Sequence, residues 1–215
     1  MPERLDAVLE AIYGCAALTW RDDARSMAGE ARHAAMALAA ALGDEREAWG
    51  LAAVVSLSLA RRTASFVPLD EQDPAAWDAA LLAEGRAALR RAQGAGAPGR
   101  FELEAAIQAV HCARRETGAT DWAALRTLYD ALLLRAPTAG AAIARAAVVG
   151  RLDGPETGLA ALGDERPMQA WWSVRAALLA AAGRADDARA AAARAAAMTA
   201  DEAVRVHLLE AAGGG

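Results

Sequence analysis

Residues 44–62 read DEREAWGLAAVVSLSLARR. Asp44, Glu45 and Glu47 load the start of this stretch with negative charge, and Arg61 and Arg62 close it with positive charge, which suits a helix dipole at both ends. The 13 residues from Ala48 to Ala60 carry no charge at all. A helix apolar on every side is predicted to be central and buried. The rest of the composition fits helices packed around it. Alanine fills 64 of the 215 positions, and the chain is 55% apolar yet only 5% aromatic. That predicts thin, close-packed helices with a few large anchors, and strand-forming composition is largely missing.

Working outward, Pro2 sits in a first turn and Leu5, Val8, Leu9, Ile12 and Leu18 recur at helical spacing, predicting a first helix up to Trp20. Arg21, Asp22 and Asp23 punctuate it, and an alanine-rich second helix follows to Gly43. Thr63 to Asp73 holds Pro68 and three carboxylates without helical period, so it reads as a loop. Asp73 and Pro74 form an N-cap and first-turn pair for a helix carrying Trp77, Leu81, Leu82 and Leu89, which ends at the loop Gly94 to Gly99. Helices over 101–115 and 121–135 come next, the second capped by Thr120 or Asp121. Shorter units then run over 137–150, 155–162, 167–183, 186–199 and 201–212, each broken at Gly, Pro or Asp. The pattern W-x5-LL-x3-GR-x-DDA-x3-A-x3-A over Trp172 to Ala197 resembles a tetratricopeptide repeat hairpin. The expectation is an all-α chain of about 10 or 11 helices, a tetratricopeptide-like right-handed array of antiparallel hairpins or an irregular bundle. It forms one helical domain over 1–212, with 136–212 as its hairpin half and 213–215 as a tail.

Charge and motifs narrow the chemistry. Twenty-three arginines, no lysine and 28 acidic residues give a net charge of −5. Arginine pairs at 61/62, 90/91 and 114/115 fall at helix ends and read as dipole complementation, so direct nucleic-acid binding is not expected. The uncharged run is well short of the roughly 20 residues that span a bilayer, and Asp6 and Glu10 interrupt the N-terminus, so neither a membrane span nor a secretory signal is expected. Cys15 and Cys112, far apart in sequence, read as reduced thiols in a cytoplasmic protein. Gly94 to Gly99 satisfies G-x-G-x-x-G, but a helix rather than a strand precedes it, so it reads as an interhelical loop. With no P-loop, G-x-S-x-G, H-E-x-x-H or C-x-x-C, no cofactor and no metal are expected.

Three polar or aromatic sets stand out. Glu104, Gln108, His111 and Arg115 share one stripe of a helix, which is a solvated face, a buried structural network, or a pocket where His111 exchanges protons with a carboxylate. Asp70, Glu71 and Asp73 crowd around Gln72, where burial would raise a pKa enough for general-acid work and where capping or partner contact is the alternative. The six tryptophans are core anchors or the walls of an apolar pocket.

The run Pro68-Leu69-Asp70-Glu71-Gln72-Asp73, with Trp77-Asp78, Ala80-Leu81 and Ala83-Glu84-Gly85, resembles a signature of extracytoplasmic-function RNA polymerase sigma factors that carry a long helical C-terminal extension. Similarity continues through Phe101 to Ile107, Ala109-Val110-His111, Thr120-Asp121-Trp122, Leu128-Tyr129-Asp130 and Gly154-Pro155. It covers about Leu5 to Leu209 and corresponds to the extension alone, without the domains that bind core polymerase and read promoters. The resemblance implies a tetratricopeptide-like regulatory module rather than a catalyst. Two segments depart from the pattern. An F-N-E-G-Y type segment is replaced by Ile12-Tyr13-Gly14-Cys15-Ala16-Ala17, and an N-R-A-V type segment by Ala144-Arg145-Ala146-Ala147, which implies a changed contact and a more apolar cavity.

Two functional expectations follow. The first is a stand-alone, non-catalytic interaction module whose partner is a sigma factor, RNA polymerase or a small regulator, bound through Asp70, Glu71, Gln72, Asp73, Trp77, Gln108, His111, Trp122 and Tyr129. The second is a small-molecule-binding protein or a metal-free acid/base enzyme of cyclase or isomerase type in specialised metabolism. There Trp20, Trp77, Trp122 and Tyr129 shape the ligand, and Asp70, Glu71, Glu84 or His111 moves the proton.

Overall fold

A computed structural model describes residues 2–18 and 25–213, with side chains described for 4–17 and 27–211. Trp20, the punctuation at 21–23 and the last two glycines lie outside the described residues. The described chain is all-α, with helices packed as antiparallel neighbours and no strand among those residues. The helices are α1 (Pro2–Leu18), α2 (Arg25–Leu42), α3 (Arg46–Leu59), α4 (Ala79–Ala92), α5 (Arg100–Thr117), α6 (Trp122–Arg135), α7 (Ala139–Asp153), α8 (Pro155–Leu162), α9 (Gln169–Ala181), α10 (Ala185–Ala197) and α11 (Glu202–Gly213). They cluster into two compact units, Met1–Thr120 and Asp121–Gly215, with α6 in the second. No described helix is long and apolar enough to cross a membrane.

In the first unit α3 is buried without interruption from Ala48 to Leu57 and packs against α1, α2, α4 and α5. Small residues allow that closeness. A Cβ on Gly50 would sit 2.7 Å from backbone atoms of Phe101 and Glu102, and one on Gly85 would sit 2.6 Å from Leu57 Cγ. Polar residues in the first turn of α3 then fasten its neighbours. Gly99, the N-cap of α5, has no side chain to offer, so the Glu47 carboxylate accepts from the Phe101 and Glu102 N–H groups at 3.1 and 3.3 Å. A cap of this kind contributes about 1 kcal/mol. Arg46 donates to the Ala92 carbonyl at 2.7 Å and the Ala95 carbonyl at 2.9 Å, and also pairs with Glu102. The end of α4 and the start of α5 are thereby held to one turn of α3.

One expected helix start is displaced. Asp73 caps as expected, accepting from Ala75 N at 2.9 Å, but the segment it opens is a single 3₁₀ turn, Pro74–Ala76. Trp77 is extended (ψ 143°) and drops into a core of Leu57, Ala60, Leu82 and Cys112, while Asp78 N donates to the Ala60 carbonyl at 2.9 Å. Burying the indole there breaks the helical path, and α4 restarts with its own cap. Asp78 accepts from Ala80 N and Leu81 N at 2.8 and 3.0 Å.

The second unit is held mainly by packing. Ile143, Ala146, Trp171, Leu179, Ala188 and Ala192 belong to its core, and α9 and α10 form a hairpin against which α11 packs. Its ion pairs, such as Arg184–Asp187 and Arg205–Glu202, lie on exposed side chains and are worth roughly 0–1 kcal/mol each. Asp121 rather than Thr120 caps α6, accepting from Ala124 N at 2.9 Å. The helix expected to stop at Gly150 runs on to Asp153, because Gly150 is a packing position rather than a terminus. A Cβ on Gly158 would lie 2.7 Å from the Gly150 Cα, and one on Gly150 would overlap Leu178 Cδ2 at 2.2 Å. Helices α7 and α8 therefore meet backbone to backbone.

This contact predicts that Gly158→Ala destabilises the second unit by about 1–3 kcal/mol through overpacking. Gly140, in the same unit, has nothing within 4 Å of its missing Cβ, so Gly140→Ala is expected to be neutral or stabilising by up to about 1 kcal/mol. Urea unfolding followed by circular dichroism checks the pair.

Candidate functional site

The loop after α3 carries most of the polar residues that drew attention in the sequence. Its backbone turns at Pro68, whose carbonyl accepts from Glu71 N and Gln72 N at 3.0 and 3.1 Å. The Gln72 side chain donates to the Val67 carbonyl at 3.0 Å and accepts from the Trp77 indole N–H at 3.0 Å, tying the loop to its buried anchor. From the last turn of α5, Arg114 donates to the Gln72 carbonyl at 2.6 Å and lies over the Trp77 ring at 5.2 Å, while Arg115 donates to the Trp77 carbonyl. Asp70, Glu71 and Asp73 stand exposed on the resulting fixed loop. The burial on which general-acid work by this trio depends is absent.

The α5 stripe is half-buried and engaged throughout, which matches the structural-network alternative rather than a solvated face. Glu104 pairs with Arg100 at 2.8 Å and bonds Tyr13, whose phenol is pushed up to about 12 by burial and then by the Glu104 charge and hydrogen bond. Gln108 accepts from Arg61, a buried arginine that also donates to the Leu57 carbonyl at 3.4 Å. His111 is pushed down to about 4, first by burial and then by the Arg61 and Arg114 guanidiniums. At neutral pH it is an uncharged imidazole, and the charges acting on it are cationic. Burial likewise pushes the neighbouring Cys112 thiol up; its Sγ lies 3.8 Å from the Leu57 carbonyl.

Arg114 thus joins Gln72 to Trp77, Arg61 holds Gln108, and both guanidiniums lie close enough to His111 to act on its charge. Glu84 belongs to a different cluster, where Arg32 grips both of its oxygens at 2.7 Å and the buried Ser56 hydroxyl donates to one at 2.9 Å. That ties α2, α3 and α4 together. Trp122 and Tyr129 lie on α6 in the second unit, where Arg151 stacks over Trp122 at 5.4 Å. Among the described residues no three His, Cys, Asp or Glu side chains could jointly hold a metal ion. Sequence reasoning missed Arg61 and Arg114 as organisers, because their positions at helix ends matched a dipole role. The buried partners that give them a second role become visible only when α3 and α5 are packed together.

The first unit also contains a cleft of about 390 Å³ lined by Tyr13, Ala16, Ala17, Ala28, Val54 and Leu59, among others, with Ser58, Arg61 and Gln108 as its polar groups. It is a mostly apolar wall with one buried cation.

Residues 4–93 match DUF6596, a family of unknown function. The match runs from α1 to the end of α4, so it takes in the 68–78 loop and Glu84 and stops short of the α5 stripe. An uncharacterized protein of Rhizobium meliloti (strain 1021) is 32% identical over 157 residues, which is 68% of this chain and 37% of that protein. The chain spans little more than a third of the length of this relative. No solved structure matches the chain.

The His111 environment carries a pH dependence. Its imidazole binds a proton less readily in the folded state, at about 4, than the ordinary 6.5 of an unfolded chain. The unfolded state therefore takes up more protons between those values, and stability, complete above pH 6.5, is lost as pH falls toward 4. His111→Gln should flatten this part of the stability profile, measured by urea unfolding at steps between neutral pH and pH 4.

Proposed function

We propose that the chain is a non-catalytic helical interaction module of transcriptional regulation, and that it binds a protein partner through the Asp70–Asp73 loop. The observation that carries this reading is the exposure of an acidic run on a loop of fixed backbone. Gln72, Asp73, Trp77 and Asp78 fix the loop, and Asp70, Glu71 and Asp73 are exposed on it. A rigid acidic edge favours association because little ordering entropy is lost on binding and its charges steer a basic partner. The resemblance to sigma-factor extensions directs the choice of partner to a sigma factor, an RNA polymerase subunit or a small regulatory protein. The employment of Glu84 in contacts with Arg32 and Ser56 supports the non-catalytic part of the reading.

The test is binding of the full chain to purified sigma factors and core RNA polymerase from its host. Asp70→Arg combined with Glu71→Arg, two exposed positions, should weaken the recovered complex by about tenfold or more, with circular dichroism checking that the variant stays folded. Undiminished affinity in the double variant, or no complex with any of these proteins, would count against the proposal.

A second reading rests on the Tyr13–Arg61–Gln108 cleft, whose volume and apolar wall suit a small ligand with one acceptor group. Native mass spectrometry of protein purified from its host separates the two, since a protein adduct supports the module and a stoichiometric small-molecule adduct supports the ligand-binding or enzymatic alternative.

A further inference from the structure

The second unit holds a cleft of its own, about 370 Å³ in volume, walled by α9, α10 and residues 163–165. Its aromatic floor is Trp171 and Trp172, packed edge to face at 4.8 Å and 80°. Two guanidiniums stand on these rings, Arg175 at 5.4 Å from the Trp171 centroid and Arg194 at 4.5 Å from the Trp172 centroid. A third, Arg184, is held by Asp187 at 2.7 Å.

Three properties set this cleft apart from an ordinary surface groove. Arg175 has no carboxylate within ion-pair reach among the described residues, although Arg184 and Arg194 each have one. The Arg194 partner, Glu165, is 3.6 Å away, and both side chains are about three-fifths exposed, so this pair is loose and readily exchanged. The Trp171 indole N–H, on a residue only 2% exposed, meets no acceptor in the protein, whereas buried donors are ordinarily paired.

We propose that this cleft binds an organic carboxylate, with an aromatic or other apolar body against Trp172 and Trp171 and the carboxylate between Arg175 and Arg194. Charge decides between anions. Three arginines less Glu165 and Asp187 leave a single positive charge, which matches a monoanion and not a phosphate dianion. The planar fork of arginine also fits a carboxylate through two parallel N–H···O bonds, and the tryptophan faces supply the apolar contact that a simple inorganic anion cannot use. This site is independent of the loop discussed above, and neither proposal depends on the other.

The experiment is a titration of the full chain, labelled with ¹⁵N, with 3-phenylpropionate, its neutral analogue 3-phenylpropionamide, and inorganic phosphate, following the tryptophan indole resonances. Trp171→Phe assigns the Trp171 signal. The expected result is saturable movement of the Trp171 and Trp172 signals with the carboxylate, about tenfold weaker binding of the amide, and a comparable loss in Arg175→Ala combined with Arg194→Ala. Circular dichroism of that variant checks that the hairpin is retained. The proposal is overturned if the carboxylate leaves both signals in place, if the amide binds equally well, or if phosphate displaces the carboxylate at equal concentration.

Discussion

Uninterrupted burial of α3 is the constraint on which the first unit depends. A helix satisfies its own backbone groups, so Ala48 to Leu57 can be surrounded by protein without unpaired donors, provided every neighbour approaches closely and none brings an unmatched charge. Gly50 and Gly85 supply the close approach, and the charges are confined to the two ends. At the first turn, Arg46 and Glu47 take on the exposed ends of α4 and α5. At the last, Arg61 turns inward to Gln108. Polar residues at both ends of α3 thereby help to join its neighbours to it.

Much of this architecture was legible because it follows from local rules. The charge pattern of residues 44–62 placed α3 and its burial, the α6 cap was narrowed to Thr120 or Asp121, and the α8 boundaries followed from its proline and glycine breaks. Two departures share a cause. The helix expected from Asp73 gives way to a 3₁₀ turn because Trp77 must reach the core under α3. The stop expected at Gly150 disappears because the missing side chain there makes room for Gly158 and Leu178. In both places a tertiary contact overrides a local signal, and no single-helix reasoning contains that contact.

The candidate site was less legible than the fold. The spacing of Glu104, Gln108, His111 and Arg115 showed that they share a face, but not what the face meets, and three meanings remained open. In the fold Glu104 meets Arg100 and Tyr13, Gln108 meets Arg61, and Arg115 meets the Trp77 carbonyl, contacts that suit a connecting network. The 68–78 loop differs from the stripe, because Gln72 and Trp77 together with Arg114 and Arg115 of α5 hold its backbone while Asp70 and Glu71 stay exposed. The Trp171–Trp172 cleft was foreshadowed only by composition. Its arginines come from α9, α10 and the turn between them, so their convergence is a property of the hairpin and not of any motif.

The dependence of the first unit on α3 is most directly measured by native-state hydrogen exchange resolved to single amides. The account predicts that the amides of residues 51–57 are the slowest of the first unit and exchange only with its global unfolding. Glu47→Gln should speed the first turn of α5 while leaving the centre of α3 protected. Exchange of residues 51–57 as fast as that of α1 or α2 would contradict it.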